Sequence, residues 1–447
     1  MSANIQLSTD HLRLADEVDK ERIMGSLSRL AAISDPAFGK EGVTRLAYSK
    51  FDIEGKNLIA KLMAEAGLEV RMSPIGNTFG RLSGSRCDGQ AVLTGSHTDS
   101  VIRGGRFDGC VGVVCAIEAL RILAKVKDEL VHPLEVIDFA MEEAARFGVA
   151  CLGSKVFMGQ EIDESLWLLA DSQGISIAQA LSEMASAKNS NEKNNSLSPL
   201  NKAKLAAENS RAQIGNIRAY VELHVEQAGF LEENKMPIGI VDTCAMPTRW
   251  AIDIVGEQAH SGTTPMHRRR NALVAASEFV LLVDKICREE SSKNTVGAVT
   301  KLSVEPNAMN TVPGKCSLFL DLRSTDKQSK DKVKNLLLAE LEQLCQRHQV
   351  TFARQVITED DPKVFSPEIM AISQKVCEAL KTPYMVLPSR AGHDACNVSN
   401  RVKEVGMIFI PSRAGVSHHH EEHTDADEIV LGAKVLLLTL LELATKN

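Results

Sequence analysis

Residues 91–140 contain the pattern that most restricts the fold of this chain. An apolar run at 91–95 is followed by a helical stretch, DGCVGVVCAIEALRILAKV, and then by a second apolar run, LEVIDFA. Strand, long helix and strand within about 50 residues are typical of a βαβ unit, because parallel strands need a crossover connection. The sequence therefore predicts an α/β fold with a mainly parallel sheet that is covered by helices.

The length of 447 residues and a change of pattern near residue 246 indicate two domains. From 246 to 361 the predicted elements follow the order βαββαβ, which is typical of a ferredoxin-like α+β domain. The parallel-sheet pattern then resumes. We therefore predict one domain formed by 1–245 and 362–447, with a second domain inserted at 246–361. The stretch 186–213, rich in Asn, Ser, Lys and Ala, is predicted to be a polar surface insertion.

Composition excludes several classes of protein. Fifty-one basic and 58 acidic residues give a formal net charge of −7, and no block of Lys and Arg could follow a phosphate backbone, so nucleic acid is not an expected partner. The polar N-terminus and the lack of a long apolar stretch predict a cytoplasmic protein that does not enter a membrane. Ten cysteines without a Cys-x-x-Cys pair indicate reduced core residues rather than disulfides or a structural zinc site made of four cysteines.

Acidic and imidazole side chains lie at or just beyond the ends of apolar runs. Their segments read GSHTDS, GGRFDG, MEEAARFG, ELHVEQ and PSRAGVSHHHEEH, and the side chains are His97, Asp108, Glu142, Glu143, His224 and His418. In an open parallel sheet, ligands bind beyond the carboxyl ends of the strands, because chain direction brings several loops together there. Imidazole nitrogen and carboxylate oxygen are ligands of zinc and similar ions. The sequence therefore predicts a metallohydrolase with its site at this edge.

The number and type of these side chains indicate two metal ions. Two ions about 3.5 to 4 Å apart need a carboxylate that bridges them, and we predict that Asp108 is this bridge. Glycines at 104, 105 and 109 allow the backbone around it to approach the metals closely. With Asp108 shared, each ion has about three protein ligands and an open position for water, as in catalytic sites. The other predicted ligands are His97, Glu143, His224 and His418.

Glu142 and Glu143 are adjacent, and they point in different directions if the backbone is extended. They are therefore expected to have different roles. A metal lowers the pKa of bound water to near 7, and a carboxylate beside it can remove the proton and return it to the leaving nitrogen. We assign this role of base and acid to Glu142 and metal binding to Glu143.

The inserted domain contributes a second set of polar residues. His260 lies in GEQAHSGTTPM, in a turn before a helix, while Asn310 and Arg323 lie close to predicted strand ends. His260 and Asn310 could hydrogen-bond a developing oxyanion, and Arg323 could hold a substrate carboxylate in a bidentate fork.

Simpler interpretations exist for several of these residues. A single histidine at a strand end is more often structural than a ligand, and only the combination reverses that expectation. Arg323 could instead pair with Asp321 or Asp326. His393 and Asp394 in AGHDA could be additional ligands, although orientation of neighbouring groups is the better expectation. Three further histidines are expected to be solvated, namely His419, His420 and His423.

These motifs, in this order from about residue 20 to 445, resemble those of the hydantoinase/carbamoylase family of amidases. This family includes N-carbamoyl-L-amino-acid hydrolases, allantoate amidohydrolases and β-ureidopropionases, within the dinuclear zinc peptidase superfamily. The segments that carry the resemblance are GSHTDSVIRGGRFDG, EEAARFG, ELHVEQ, AHSGTTPM, NTVPG, DLRS, AGHDA and PSRAGVSH.

The resemblance implies a dinuclear aminopeptidase-like catalytic domain with an inserted ferredoxin-like lid that also forms a homodimer interface. It implies the same metal ligands and the same catalytic base, and substrate contacts from Gln227, His260, Asn310, Arg323 and Gly392, with lid residues acting in the same or the partner subunit. The chain departs from the family pattern where AGFLEE follows HVEQ instead of Gly-Pro, and where SHHHEEH replaces Ser-His-Ser-Pro-Glu-Glu. Register alone therefore selects His418 over the next two histidines.

The expected reaction is hydrolysis of the C–N bond of a ureido or N-carbamoyl group on a small carboxylic acid, such as an N-carbamoyl-L-amino acid, allantoate or β-ureidopropionate, with release of ammonia. Two divalent ions per subunit are expected, with Zn²⁺ first and Mn²⁺, Co²⁺ or Ni²⁺ as alternatives. Two rival functions stay open at this point. One is a dipeptidase or N-acyl-amino-acid hydrolase on the same scaffold, and the other is a non-catalytic metal-binding protein.

Overall fold

The computed structural model describes residues 8–84, 89–188, 197–290 and 295–446. The chain divides into two compact units. The larger unit comprises Met1–Asp242, Phe365–Leu387 and His393–Asn447, and the smaller unit comprises Thr243–Val364 and Pro388–Gly392. The predicted roles of catalytic domain and lid stay predictions.

Fifteen strands are present in the described ranges. In chain order they are β1 (Glu69–Met72), β2 (Thr78–Leu82), β3 (Ala91–His97), β4 (Leu134–Phe139), β5 (Ile217–Val225), β6 (Ile238–Cys244), β7 (Met246–Val255), β8 (Ala259–His260), β9 (Val296–Glu305), β10 (Thr311–Val312), β11 (Lys315–Ser324), β12 (Thr351–Glu359), β13 (Lys363–Val364), β14 (Tyr384–Ser389) and β15 (Glu404–Ile410).

Fourteen α-helices accompany them in the same ranges. They are α1 (Thr9–Leu14), α2 (Lys20–Ala31), α3 (Lys50–Glu65), α4 (Cys110–Leu123), α5 (Leu152–Phe157), α6 (Glu164–Trp167), α7 (Ile177–Lys188), α8 (Pro199–Glu208), α9 (Phe230–Glu233), α10 (Ala272–Glu289), α11 (Lys327–Arg347), α12 (Pro367–Ala379), α13 (Asp394–Val398) and α14 (Ala426–Thr445).

The main sheet of the larger unit has the strand order β1-β2-β4-β3-β5-β15-β6. Its centre is parallel, since β3 pairs in parallel with β4 and β5, and β15 pairs in parallel with β5. The outer strands β1, β2 and β6 pair antiparallel with their neighbours. The prediction of a mainly parallel α/β sheet is thus confirmed. The antiparallel strands at its edges were not predicted.

Burial explains why the central strands read as unbroken apolar runs. Every residue of β3 and of β4 is buried, and so is β5 from Ala219 onward. A strand with helices on both faces has no solvated side, so polar and apolar residues do not alternate along it. Helix α4 crosses between β3 and β4, and only Arg121 of its residues is not buried. This is the βαβ unit that the sequence predicts.

The smaller unit contains a separate four-stranded sheet in the order β12-β7-β11-β9, and all of its pairs are antiparallel. Helices α10 and α11 follow β7 and β11 in the chain, so the predicted βαββαβ order is observed. The core residues alternate along the strands, as Trp250, Ile252 and Ile254 do on β7, because only one face of this sheet is covered.

The polar stretch 186–213 contains regular structure. It includes the end of α7 and the whole of α8, whose Ala203 and Ala207 are buried in an apolar cluster. Residues 189–196 of this stretch lie outside the described residues. Polar composition therefore did not reveal a helix that packs through two alanines.

Two further expectations concern cysteines and membrane contact. Nine cysteines lie in the described part of the chain, and all nine are free and buried, as expected for reduced core residues. Within the same part of the chain, no helix has the length and apolar character that crossing a membrane requires.

Candidate metal centre

The parallel sheet brings the predicted ligands of the larger unit to one edge. His97 is the last residue of β3, and its register partner on β4 is Phe139, the last residue of that strand. Glu142 and Glu143 follow shortly after Phe139, and His224 is the penultimate residue of β5. Because β3, β4 and β5 run in the same direction, these side chains emerge together at their carboxyl ends.

A first group of possible metal ligands comprises His97, Asp108 and His224, whose ligand atoms lie within 4.8 Å of one another. Nε2 of His224 is 3.2 Å from Oδ1 of Asp108, and Nε2 of His97 is 4.0 Å from the same oxygen. Asp108 directly precedes the Gly109 cap of α4, so the start of this helix delivers the carboxylate to the strand ends.

A second group comprises Asp108, Glu143 and His418. Nε2 of His418 is 3.4 Å from Oδ2 of Asp108 and 3.3 Å from Oε1 of Glu143. The two oxygens of Asp108 thus face different sets of side chains. Each set offers imidazole nitrogen and carboxylate oxygen, the donors that zinc and related divalent ions accept. The residues present therefore fit a pair of divalent ions that shares Asp108.

Hydrogen bonds fix the orientation of two imidazoles. Nδ1 of His97 is 3.1 Å from the carbonyl oxygen of Asp99, and Nδ1 of His224 is 2.9 Å from that of Val225. A carbonyl oxygen only accepts, so Nδ1 donates in both contacts and Nε2 is left for a metal. This is the arrangement that metal-binding histidines need.

Glu142 lies outside both ligand groups. Its Oε2 atom is 3.7 Å from Nε2 of His97, while Oε1 accepts a hydrogen bond from the thiol of Cys151 at 3.1 Å. Burial and the nearby charge of Glu143 raise the pKa of Glu142 well above its ordinary value. A carboxyl group that is close to the cluster and has a raised pKa is suited to moving protons.

The loop that carries the two glutamates is not an extended strand. Met141 has a φ of 55°, and the backbone N–H groups of Glu142 and Glu143 donate to the two oxygens of Asp99 at 3.1 and 3.0 Å. The two side chains therefore differ in direction because of a turn that Asp99 holds, rather than because of strand alternation. Asp99 was not singled out in the sequence. Its position two residues beyond the apolar strand that ends at His97 is nevertheless a usable signal.

Acidic neighbours raise the pKa values of two histidines in the cluster. Burial lowers the pKa of His97, but the charges of Asp99 and Asp108 outweigh it and raise this pKa to about 9. Hydrogen bonds to Asp108 and Glu143 raise the pKa of His418 to about 10. Burial acts to raise the pKa of Asp108, but the hydrogen bond from His418 and the neighbouring imidazoles outweigh it, so this pKa is lowered. The acids of the cluster thus attract positive charge to this edge.

Two glycines permit the close approach of backbone and side chains. A Cβ at Gly109 would overlap Nε2 of His97, and Gly109 also has a φ of 64°. A Cβ at Gly105 would overlap the carboxyl group of Glu422. Close packing of backbone against side chains is therefore seen at both positions, while the expected approach to metals stays a prediction. Gly105 also identifies Glu422 as a buried neighbour that sequence reasoning did not single out.

The remaining candidates of the larger unit have other contacts. Nε2 of Gln227 donates to Oδ2 of Asp108 at 2.8 Å and to Ser417 Oγ at 3.0 Å. His393 is buried with its ring centre 4.5 Å from that of His224, and it forms a third possible ligand group with Glu222 and His224. Burial lowers the pKa of His393 well below its ordinary value, so this imidazole is neutral. The His393 ring thus packs against the His224 ring, whose Nε2 faces Asp108.

The other histidines of the 418–423 tract do not belong to a ligand group. His419 and His420 stack with ring centres 4.1 Å apart, and both are exposed. Nε2 of His423 is 2.9 Å from Oδ1 of Asp425. His418 alone of the four is close to the cluster, and its φ of 56° turns the chain at this point.

The smaller unit brings its predicted substrate-binding residues into two places. His260 lies on β8 rather than in a turn, opposite Thr311 of β10, and the N–H of Ser261 donates to the carbonyl oxygen of Asn310 at 3.0 Å. His260 and Asn310 are thus brought together. Nδ1 of His260 accepts from the N–H of Gly262 at 3.0 Å, which leaves Nε2 available.

Arg323 forms an ion pair with Asp321 on its own strand, through Nε at 3.1 Å and Nη2 at 3.2 Å. Asp326 instead caps α11. Nη1 of Arg323 is 3.5 Å from the carbonyl oxygen of Arg390, in the segment that ends at Gly392. Apart from its two chain neighbours, no described residue has an atom within 4 Å of a Cβ built on Gly392, which leaves space beside this backbone. Asp321 thus occupies the Nε and Nη2 atoms of Arg323, and Nη1 is the atom that faces the segment 388–392.

The sequence pattern of the peptidase family M20/M25/M40 matches residues 93–442. An N-carbamoyl-L-amino acid amidohydrolase from Geobacillus stearothermophilus is 33% identical over 96% of this chain and 99% of its own length. A ureidoglycolate hydrolase from Arabidopsis thaliana is 33% identical over 98% of this chain and 90% of its own. An allantoate amidohydrolase from Escherichia coli is 33% identical over 92% of this chain and 94% of its own.

The crystal structure of a hydantoinase/carbamoylase family amidase from Burkholderia multivorans is similar to this chain, with a TM-score of 0.81 at 31% identity over 96% of this chain and 98% of that one. The fold and the donor set define an α/β metallohydrolase. More particularly, the chain belongs to the peptidase family M20/M25/M40. The predicted fold class and the resemblance to the hydantoinase/carbamoylase amidases are confirmed.

Proposed function

We propose that this protein is a metal-dependent amidohydrolase that cleaves the C–N bond of a ureido or N-carbamoyl group on a small carboxylic acid and releases ammonia. One observation carries the proposal, namely that the oxygens of Asp108 face two separate ligand groups while Glu142 lies beside them in neither. The names of the three relatives support the assignment of the cleaved bond, because each name denotes a hydrolase of a ureido acid.

Two divalent ions, with Zn²⁺ expected first and Mn²⁺, Co²⁺ or Ni²⁺ as alternatives, would be held by the two groups. His97, Asp108 and His224 would hold one ion, and Asp108, Glu143 and His418 the other. When bound, such ions supply Lewis acidity to the substrate carbonyl and make water a stronger acid.

Glu142 is the residue that moves the proton. Its Oε2 atom faces the cluster and is the atom that accepts a proton from the attacking water and returns it to the departing nitrogen. Oε1 is held by the Cys151 thiol, so rotation of the carboxyl group is restrained. A purely structural metal site needs no such group, and this argues against a non-catalytic protein.

His260, Asn310, Arg323, Gln227 and Gly392 are proposed as substrate-binding residues. Arg323 anchors the carboxylate of the substrate, with Asp321 fixing its guanidinium plane. The Nε2 atom of His260 and the amide of Asn310 stabilise the negative charge that develops on the ureido oxygen. Gln227 and the open backbone at Gly392 contribute hydrogen bonds that orient the substrate.

We further propose a cytoplasmic homodimer that assembles through the smaller unit. Phe319 and Val255 of its sheet are large apolar side chains with 37% and 43% of their surfaces exposed, and association through this sheet would remove them from water. The nine cysteines in the described part of the chain are free and buried, which suits a reducing compartment.

Hydrolysis of a panel of substrates tests the proposed function. It is measured as ammonia release for the ureido acids, and as release of a free amino acid for the dipeptide and the N-acetyl amino acid. The metal-loaded protein is given an N-carbamoyl-L-amino acid, allantoate, ureidoglycolate, β-ureidopropionate, a dipeptide and an N-acetyl amino acid, with the Glu142→Gln variant as the control for contaminating activity. Ammonia from at least one of the four ureido acids is expected. Cleavage of only the dipeptide or the N-acetyl compound would instead favour the peptidase or acylase alternative and overturn the proposal.

A further inference from the structure

Glu422 is a buried carboxylate that contacts the segment carrying Asp108. Only 4% of its surface is exposed. Its Oε1 atom accepts hydrogen bonds from the backbone N–H groups of Phe107 and Asp108, at 2.9 and 3.1 Å. Two consecutive amides are thus held by one oxygen, which fixes the orientation of the peptide that immediately precedes the Asp108 side chain.

The position of this peptide determines where the oxygens of Asp108 lie. An aspartate has a single methylene between its backbone and its carboxyl group, so it cannot compensate for a backbone shift as a longer side chain could. Asp108 must direct Oδ1 toward His224 and Oδ2 toward His418, at 3.2 and 3.4 Å. A rotation of the Phe107–Asp108 peptide would therefore disturb both ligand groups at once.

A second set of contacts joins Glu422 to the carboxyl group of Asp108. Ser417 Oγ is 3.3 Å from Oε2 of Glu422 and 3.1 Å from Oδ2 of Asp108. Ser417 precedes His418, whose Nε2 is close to the same Oδ2 atom. The segment 417–422 therefore supplies a candidate ligand and also supports the carboxylate with which that ligand is paired.

Gly105 adds an independent geometric observation. A Cβ at this position would overlap the Glu422 carboxyl group and its Cβ atom. The glycine-rich segment is thus shaped around Glu422, and replacement of Gly105 by alanine would push the carboxylate away from the two amides.

We propose that Glu422 is a positioning residue for the metal centre, which holds the Phe107–Asp108 peptide so that the single carboxylate of Asp108 reaches both ligand groups. The inference rests on the metal centre of the proposed function, and it extends that function to a residue that touches neither ion. Hydrogen-bonding partners of metal ligands typically change metal affinity about 10- to 100-fold when they are removed.

Metal affinity, measured by calorimetry without substrate, tests this role. Zn²⁺ is titrated into the metal-free full-length protein and into Glu422→Ala, Glu422→Asp, Glu422→Gln and Glu421→Ala. The matched control is Glu421, the adjacent glutamate, whose side chain is 72% exposed. Thermal unfolding of each metal-free variant separates loss of affinity from loss of folding.

We expect Glu422→Ala and Glu422→Asp to weaken Zn²⁺ binding about 10- to 100-fold. Aspartate retains the charge but is one methylene too short to reach the amides, and it remains informative if the alanine variant does not fold. Glu422→Gln is expected to stay within a few-fold of the unsubstituted protein, because its amide oxygen can accept both N–H bonds. Glu421→Ala is expected to be unchanged.

A double variant distinguishes positioning from a general loss of stability. Because a Cβ at Gly105 would overlap the Cβ atom of Glu422 as well as its carboxyl group, the double variant combines Gly105→Ala with Glu422→Gly. If Gly105→Ala acts by displacing Glu422, this double variant binds Zn²⁺ no more weakly than Glu422→Gly alone. Additive losses would overturn the proposal, as would wild-type affinity in the alanine and aspartate variants, or a glutamine variant as weak as alanine. If the unsubstituted protein binds no metal, the proposed function itself fails, so the two failures are distinguishable.

Discussion

Oδ1 of Asp108 lies 3.2 Å from Nε2 of His224. This contact links the residue just before α4 to the end of β5 through one carboxylate oxygen. The opposite oxygen of Asp108 remains available to the second ligand group. Because Asp108 belongs to both ligand groups, loss of its side chain would affect both proposed metal positions.

Asp108→Asn is therefore expected to weaken both ions. An amide supplies one neutral oxygen and one nitrogen that only donates, so it cannot bridge two cations. We expect at least about a 100-fold loss of Zn²⁺ affinity, beyond the range seen when only a partner of a ligand is removed. Metal content after dialysis, measured by mass spectrometry, checks this. Asp16→Asn is the control because its side chain is 80% exposed, and retention of two ions by Asp108→Asn would show that it is no bridge.

Glu142→Gln should separate metal binding from turnover. The amide cannot accept a proton, yet Glu142 belongs to neither ligand group. We expect unchanged metal content and a kcat about 100- to 10,000-fold lower, which is the usual contribution of a general acid or base. Metal analysis and ammonia release on the same preparation provide the measurement. Turnover at the wild-type rate would remove Glu142 from the mechanism.

A buried ion pair behind the site is expected to contribute to stability. Nζ of Lys56 is 3.1 Å from Oδ2 of Asp138, and the two side chains are 2% and 0% exposed. Lys56→Met leaves Asp138 buried without its cation, which typically lowers the free energy of unfolding by about 3 to 5 kcal/mol. Urea denaturation followed by circular dichroism measures the change.

Lys61→Met is the matched control for this substitution. Lys61 is 66% exposed and its Nζ is 3.9 Å from Glu65, so a change within about 0.5 kcal/mol is expected. Equal effects of the two substitutions would show that the buried pair makes no special contribution.

The smaller unit is predicted to become more stable at alkaline pH through Lys330. Burial lowers the pKa of Lys330 from 10.5 to about 8, and its ammonium group donates to the carbonyl oxygens of Met246 and Asp360. Between pH 8 and 10.5 the unfolded chain holds a proton that the folded chain has lost, so the free energy of unfolding rises with pH in this window. Below pH 8 both states are charged and Lys330 adds no slope.

Lys330→Met removes this titration. The difference in urea midpoint between the wild type and Lys330→Met should therefore change across pH 8 to 10.5 and stay constant below it. Parallel profiles for the two proteins over the whole range would contradict the lowered pKa.

The centre of the fold could be predicted because its signal is local. The apolar runs of β3, β4 and α4 are buried on all sides, so their composition directly reports a covered parallel sheet. The antiparallel edges formed by β1, β2 and β6 could not be predicted in the same way. Strand direction at an edge depends on which neighbour a chain segment meets, and no residue pattern within the segment encodes that neighbour.

The candidate ligands could be proposed from residue type and from position at or beyond the ends of apolar runs, whereas the residues that support them could not. Asp99 and Glu422 both act through backbone amides of other segments. An acidic residue that accepts from a distant amide has the same sequence signature as a solvated one. Their roles therefore become visible only in the folded structure, where the segments that they join lie side by side.

The sequence by itself determined the class of fold, the family and the set of candidate metal-binding side chains, because apolar periodicity and residue type are properties of short segments. Only the tertiary structure decided that Asp108 presents its two oxygens to different histidines, that Arg323 pairs with Asp321, and that Glu142 is held by Cys151. These outcomes depend on distances of a few ångströms between segments far apart in the chain, and such distances are set by packing of the whole unit.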